Sequence, residues 1–169
     1  MQMSLASLQD VFQEQIEDLY SAENQLVQAL PKVVAAAHSD ELKKAFDEHL
    51  AETRGHVQRL DEILGQIGVS SSTHCKGMEG LIAEGEEVIA ESGDPVAKDA
   101  ALIAAAQRIE HYEIAAYGTA RTLADELDLD GAADLLDQTL DEEANADKLL
   151  TKIATGGMFR TGVNQRAAT

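Results

Sequence analysis

Four stretches of the chain place acids and imidazoles where a helical apolar stripe calls for leucine or isoleucine. In the first, the series 12, 16, 19, 23, 26, 30 reads Phe12, Ile16, Leu19, Glu23, Leu26, Leu30. The second, 42, 45, 49, 52, 56, 60, 63, brings His49, Glu52 and His56 onto one seam between Leu42 and Leu60. The third, from 102 to 124, carries Glu110, Glu113 and Tyr117, and the fourth, from 136 to 150, carries Glu143 and Asp147. A lone carboxylate in an apolar core costs several kcal/mol, and several facing one another also repel. No Lys or Arg lies on these stripes at mid-helix, since Arg108 and Arg121 fall toward the ends of the third stretch and off its seam. A cation must therefore balance the charge, and oxygen donors from four helices with an imidazole suit two iron or manganese ions. The expected ligands are Glu23, Glu52, His56, Glu110, Glu113, Glu143 and Asp147. His49 stands either as an outer partner of the ligands or as a histidine at the core edge.

The elements that position these residues follow from periodicity and punctuation. Apolar residues at three- and four-residue steps predict a first helix over about 5–37, with Pro31 inside it as a candidate kink. Ser39-Asp40 can cap a second helix that ends near Gly68. Residues 68–76 read as a loop, and Met78, Leu81, Ile82, Val88 and Ile89 predict a short crossover helix before Ser92-Gly93. Asp94-Pro95 supplies a cap and a first-turn proline for a third long helix reaching Leu127. Asp130-Gly131 predicts a tight turn, and Gly156-Gly157 stops the fourth long helix. Two helix pairs with short internal connections and one long link describe an all-α antiparallel four-helix bundle over 1–157. Residues 158–169 are expected to form a mobile tail.

The stripe pattern resembles the ferritin-like di-metal carboxylate superfamily, and the motifs Tyr20-Ser-Ala-Glu23-Asn-Gln25, His49-Leu-Ala-Glu52-Thr, Glu110-His-Tyr-Glu113-Ile and Asp141-Glu142-Glu143 resemble most closely its YciE/YciF-like stress-protein branch, related to rubrerythrin. The likeness spans about residues 5–155. In that pattern two helices give one Glu each and two give a Glu followed by His three residues on. Glu23 and either Glu110 or Glu113 match the single acids, while Glu52 and Glu143 match the acids of the paired motif. Glu23 and Glu52 are 29 residues apart, Glu113 and Glu143 30, and Glu110 and Glu143 33, so the near-duplication does not separate Glu110 from Glu113. The chain departs from the pattern twice: the histidine after Glu52 comes four residues on, as His56, and the residue four after Glu143 is Asp147. Both spacings keep one helix face. One imidazole fewer makes the set richer in oxygen and leaves iron and manganese both open. The resemblance also implies that Tyr117 hydrogen-bonds a liganding carboxylate.

Composition narrows the function classes. With 13 Lys and Arg against 31 Asp and Glu the formal charge is −18, which repels nucleic acid and anionic membranes. The single cysteine, Cys75, rules out an intramolecular disulfide and any zinc or iron–sulfur site built from several cysteines. With His74 it is expected to be an exposed, unremarkable loop pair. No apolar run approaches the ~20 residues of a membrane span, and a cytoplasmic protein is expected. The resemblance implies reaction with peroxide or oxygen under stress, by a di-metal oxidoreductase of peroxidase or ferroxidase type, with electrons from an external donor. It also implies a homodimer. An iron-storage cage and a non-catalytic structural or interaction protein are the alternatives.

Overall fold

A computed structural model of the chain describes residues 5–157 and 160–169. The elements run α1 (Leu8–Ala36), α2 (Asp40–Ile67), α3 (Lys76–Ala90), α4 (Pro95–Glu126), α5 (Asp130–Thr155), β1 (Gly156–Gly157), β2 (Arg160–Thr161) and α6 (Val163–Ala167). Capping side chains set the starts. Ser7 accepts from the Asp10 amide while Asp10 accepts from the Ser7 amide, Ser39 accepts from the Leu42 amide, and Asp94 accepts from the Val96 and Ala97 amides ahead of Pro95. Gly68, at φ 71°, closes α2 in the left-handed region, where a side chain would be strained. Pro31 sits inside α1, which continues through it.

The apolar core falls into two end layers and a smaller cluster beneath α3. One gathers Phe12 and Ile16 of α1 with Leu60 and Ile63 of α2, Ala120 and Ala124 of α4, and Leu136 of α5. The other gathers Leu42 and Phe46, Leu102 and Ile103, and Leu150 and Ile153. The early residues of α1 and α5 thus share an end with the late residues of α2 and α4. α1 runs antiparallel to α2 and α4, and the crossover over 69–94, with α3 inside it, carries the chain between the two hairpins. α3 lies over α1 and α4 with Met78 beneath it, beside Leu26, Leu30 and Leu50. This all-α bundle leaves its middle layer to polar residues.

Two local expectations change. The turn before α5 uses Asp128, at φ 56°, and Leu129 precedes the helix, so Asp130-Gly131 forms its first turn rather than the reversal. Aspartate tolerates that left-handed conformation better than most residues, which moves the turn two positions upstream. In the segment expected as a mobile tail, Met158 and Phe159 lie outside the described residues, and 160–169 is docked. Thr161 and Arg160 pair antiparallel with Gly156 and Gly157, and Val163 is fully buried in the second core layer. A Cβ at Gly156 would collide with the Arg160 carbonyl, so the close approach requires glycine. Among the described residues no helix is long and apolar enough to cross a membrane.

Candidate metal centre

The four long helices converge on a buried polar cluster between the two apolar layers. α1 contributes Glu23, α2 His49 and His56, α4 Glu110 and Glu113, and α5 Glu143, all buried. The donor atoms form two groups, and within each group they lie no more than 4.8 Å apart: His49, Glu110, Glu113 and Glu143 in one, and Glu23, His56 and Glu143 in the other. Glu143 belongs to both. Its Oε1 is 3.0 Å from His56 Nδ1 and its Oε2 3.7 Å from His49 Nε2, so one carboxylate faces both groups. His49 and His56 reach the cluster together because seven residues make two turns, returning to about the same face.

Each histidine is held from behind by a carboxylate. His56 Nε2 lies 2.9 Å from Glu142 Oε2, leaving Nδ1 toward the cluster, 3.3 Å from Glu23 Oε1. Glu142 is itself clamped by both terminal nitrogens of Arg59 at 2.8 Å, and Arg59 also donates to Thr139. His49 Nδ1 lies 3.4 Å from Glu52 Oε2, and its Nε2 faces Glu110 Oε1 at 3.4 Å. Outer carboxylates of this kind fix a ring's orientation and raise its basicity as a ligand. Tyr117 donates to Glu23 Oε1 at 2.5 Å.

Seven buried atoms of this cluster make no hydrogen bond of good geometry, His56 Nδ1 and Glu143 Oε1 among them although they lie 3.0 Å apart: Glu23 Oε2, His56 Nδ1, Glu110 Oε2, and both carboxylate oxygens of Glu113 and of Glu143. Burial, reinforced for both by the Glu143 charge, pushes the Glu110 and Glu113 carboxyls well above their ordinary range. Burial also raises Glu23, against the pull of His56. Burial works against protonated imidazoles, yet the surrounding carboxylates lift His49 to about 9 and His56 to about 10. For Glu143 burial is likewise outweighed, and contact with His56 and His49 holds it below its usual range. The cluster is rich in negative charge and meets it with protons where no other cation serves.

The family model for a domain of unknown function, DUF892, matches residues 7–168. The chain belongs to that family. It is 42% identical to the protein YciF of Escherichia coli K12 over 165 residues, covering 96% of this chain and 99% of the relative. The crystal structure of the E. coli stress protein YciF superposes with a TM-score of 0.84 at 45% identity, covering 87% of this chain and 94% of that one. A Rhodopseudomonas palustris protein, YcfI, proposed to be structural, superposes with a TM-score of 0.87 at 35% identity, covering 91% and 99%.

Within this DUF892 chain the structure brings five of the seven expected ligands together: Glu23, His56, Glu110, Glu113 and Glu143. Glu110 and Glu113 both enter, one turn apart on α4. Glu52 does not. It stands behind His49 with its side chain 46% exposed. Glu52 and Thr53 flank the His49–His56 seam by about 50° on either side, so spacing alone cannot choose between them. The rotation of α2 buries Thr53, whose hydroxyl donates to the His49 carbonyl. Asp147 is also outside the cluster: about 40° of drift from Glu143 carries it to the α4 side. There it accepts from Gln107 at 2.9 Å and lies 3.3 Å from His111, whose side chain is exposed. His49, expected as an outer partner of the ligands or a histidine at the core edge, instead lies within the cluster beside Glu110, Glu113 and Glu143. Arg59 and Glu142 carry no stripe signal, because they act from the rim.

Proposed function

We propose that this protein holds a pair of divalent metal ions, iron or manganese, between its four long helices, and that it belongs to the ferritin-like di-metal class active in stress defence. The observation that carries the reading is the set of seven buried atoms without a hydrogen bond of good geometry, converging from four helices. Native proteins leave only a few such atoms per hundred residues, and seven gathered at one place call for an explanation. Six side chains with oxygen or nitrogen donors, one of which, Glu143, belongs to both groups, suit two ions of this kind. Glu23, His56 and Glu143 would hold one, and His49, Glu110, Glu113 and Glu143 the other.

A bound pair of redox-active ions supplies the electrons for reducing peroxide or oxygen. The chain's own residues prepare that chemistry. Glu142 keeps the His56 ring turned so that Nδ1 faces inward, Tyr117 orients Glu23 and leaves its Oε2 available, and the two apolar layers keep bulk water away. Electrons return from an external donor.

Elemental analysis of protein purified without added metal or chelator tests the reading, alongside a Glu113→Leu, Glu143→Leu variant. About two iron or manganese ions per chain, lost in the variant, support it, and peroxide consumption by the loaded protein extends it to catalysis. A folded wild type that stays empty after anaerobic iron and manganese addition overturns it. The R. palustris relative favours a second reading, a helical structural protein. Metal-dependent melting without consumption of peroxide or oxygen would select it. In either case we expect a homodimer, eluting in size-exclusion chromatography near twice the 18.1 kDa chain mass.

A further inference from the structure

The cluster is not equally enclosed at its two ends. Glu23, His56, Glu113 and Glu143 are fully buried, whereas His49 and Glu110 keep 6% and 3% of their surface. Two cavities reach it, and both end on those two residues. One, of about 40 Å³, lies beneath α3 among Leu26, Leu30, Phe46, Leu102 and Ile109. The other, of about 110 Å³, opens between α2 and α5 past Glu48, Glu52 and Asn145. Neither is lined by Glu23, His56, Glu113 or Glu143. The outer supports differ in the same sense: Glu142 behind His56 is clamped by Arg59, while Glu52 behind His49 is half-exposed, with a single contact at 3.4 Å.

Resting on the di-metal reading, we infer that the two metal positions are inequivalent. The His49, Glu110, Glu113, Glu143 position is the exchangeable one, loaded through the α2–α5 cavity, and the Glu23, His56, Glu143 position is the retained one. A divalent cation keeps polar company along Glu48, Glu52 and Asn145. The cavity beneath α3 carries Lys32 and Glu86 at its rim, already paired with each other at 2.6 Å, and only apolar side chains lie between that pair and His49 and Glu110, where desolvating a cation is costly.

Cobalt(II) is the probe, followed by its visible absorption in the full chain. Metal-free protein is loaded anaerobically, and EDTA then withdraws the ion. Two release phases of equal amplitude are expected. Glu52→Gln should speed only the fast phase and Glu142→Gln only the slow one, each by about 10–100-fold. Ala146→Leu, which narrows the α2–α5 cavity, should slow the fast phase. Gly85→Leu, where a Cβ meets open space beside the apolar cavity, should change neither. Release of both ions in one phase by the wild type overturns the proposal without relying on any variant. So does a shared response to Glu52→Gln and Glu142→Gln, or slowing by Gly85→Leu in place of Ala146→Leu. Two bound ions with uniform release would leave the di-metal reading standing, whereas failure to bind cobalt, iron and manganese alike would remove both.

Discussion

Asp99 and Glu113 lie on the same helix, both buried, and their surroundings could hardly differ more. Asp99 accepts from the His38 amide at 2.6 Å and the Ser39 amide at 2.9 Å, so its charge closes the α1–α2 turn. Both oxygens of Glu113 have no donor at all. A second buried polar group behaves like Asp99: Cys75 Sγ lies 3.0 Å from Asp18 Oδ2 and from Tyr112 Oη, and Tyr112 donates to Asp18 at 2.9 Å. The fold therefore satisfies buried polar groups wherever they serve architecture. Where it leaves them unsatisfied, four helices agree on the place, and the proposed di-metal site rests on that agreement.

The sharpest test is to delete one acid from each region in metal-free protein. Asp99→Ala strips two backbone amides of their acceptor and should cost about 2–5 kcal/mol in urea unfolding. Glu113→Leu removes an acid with no partner and should raise metal-free stability by about 1–4 kcal/mol. The same substitution should abolish the gain that metal gives the wild type, about 4 kcal/mol with free metal at a thousand times Kd. Loss of stability from Glu113→Leu comparable to that from Asp99→Ala would erase the contrast.

Acidity gives a second handle. His49, His56, Glu23, Glu110 and Glu113 all have raised values in the fold, so the native state binds more protons than the unfolded chain. Stability then falls as pH rises. For the histidines the contribution is complete below their unfolded value and lost as pH climbs through about 9 and 10. Glu142 and Glu143, held low, act oppositely, and only as pH drops below the ordinary carboxylate range. Metal-free protein should therefore melt lower at pH 9 than at pH 6. Metal competes with those same protons, so the rise in Tm on adding metal should grow over that interval. A metal-free Tm that rises with pH would contradict the proton assignment.

Helix positions, the crossover and the acid-bearing seams were readable from apolar spacing and caps, because those signals are local. Whether Glu52 or Thr53 turns inward was not, since both sit equally far from the His49–His56 seam and only packing of α2 sets its rotation. Asp147 misled for a related reason: the four-residue step stays near one face but not on it. The pairing of Glu142 with Arg59 joins residues 83 apart on different helices, which no local pattern encodes. The docked C-terminal segment was missed because a single buried apolar residue, Val163, beside a two-residue strand pairing is too short a signal to read as an element.

The smallest expected effect concerns Cys75, the loop thiol that sequence placed in solvent and the structure buries. Its sulfur accepts from the Met78 amide and caps α3, while its backbone meets Ser21 and Gln25 of α1. Burial raises the thiol above its usual value, so it stays protonated and a poor nucleophile. Cys75→Ser keeps a donor and acceptor in place and should cost no more than about 1 kcal/mol; Cys75→Ala, which strands Asp18 and Tyr112 with one partner fewer, should cost about 1–2 kcal/mol. Neither should alter metal content, because the trio lies on the crossover side of the bundle, outside both donor groups. Iodoacetamide labelling checks the same point without a substitution. Modification of the native protein at the rate of global unfolding fits a thiol whose work is to hold α3 in place. Rapid modification under native conditions would mean that α3 opens on its own, and the contrast between a settled crossover and an unsettled centre would fail.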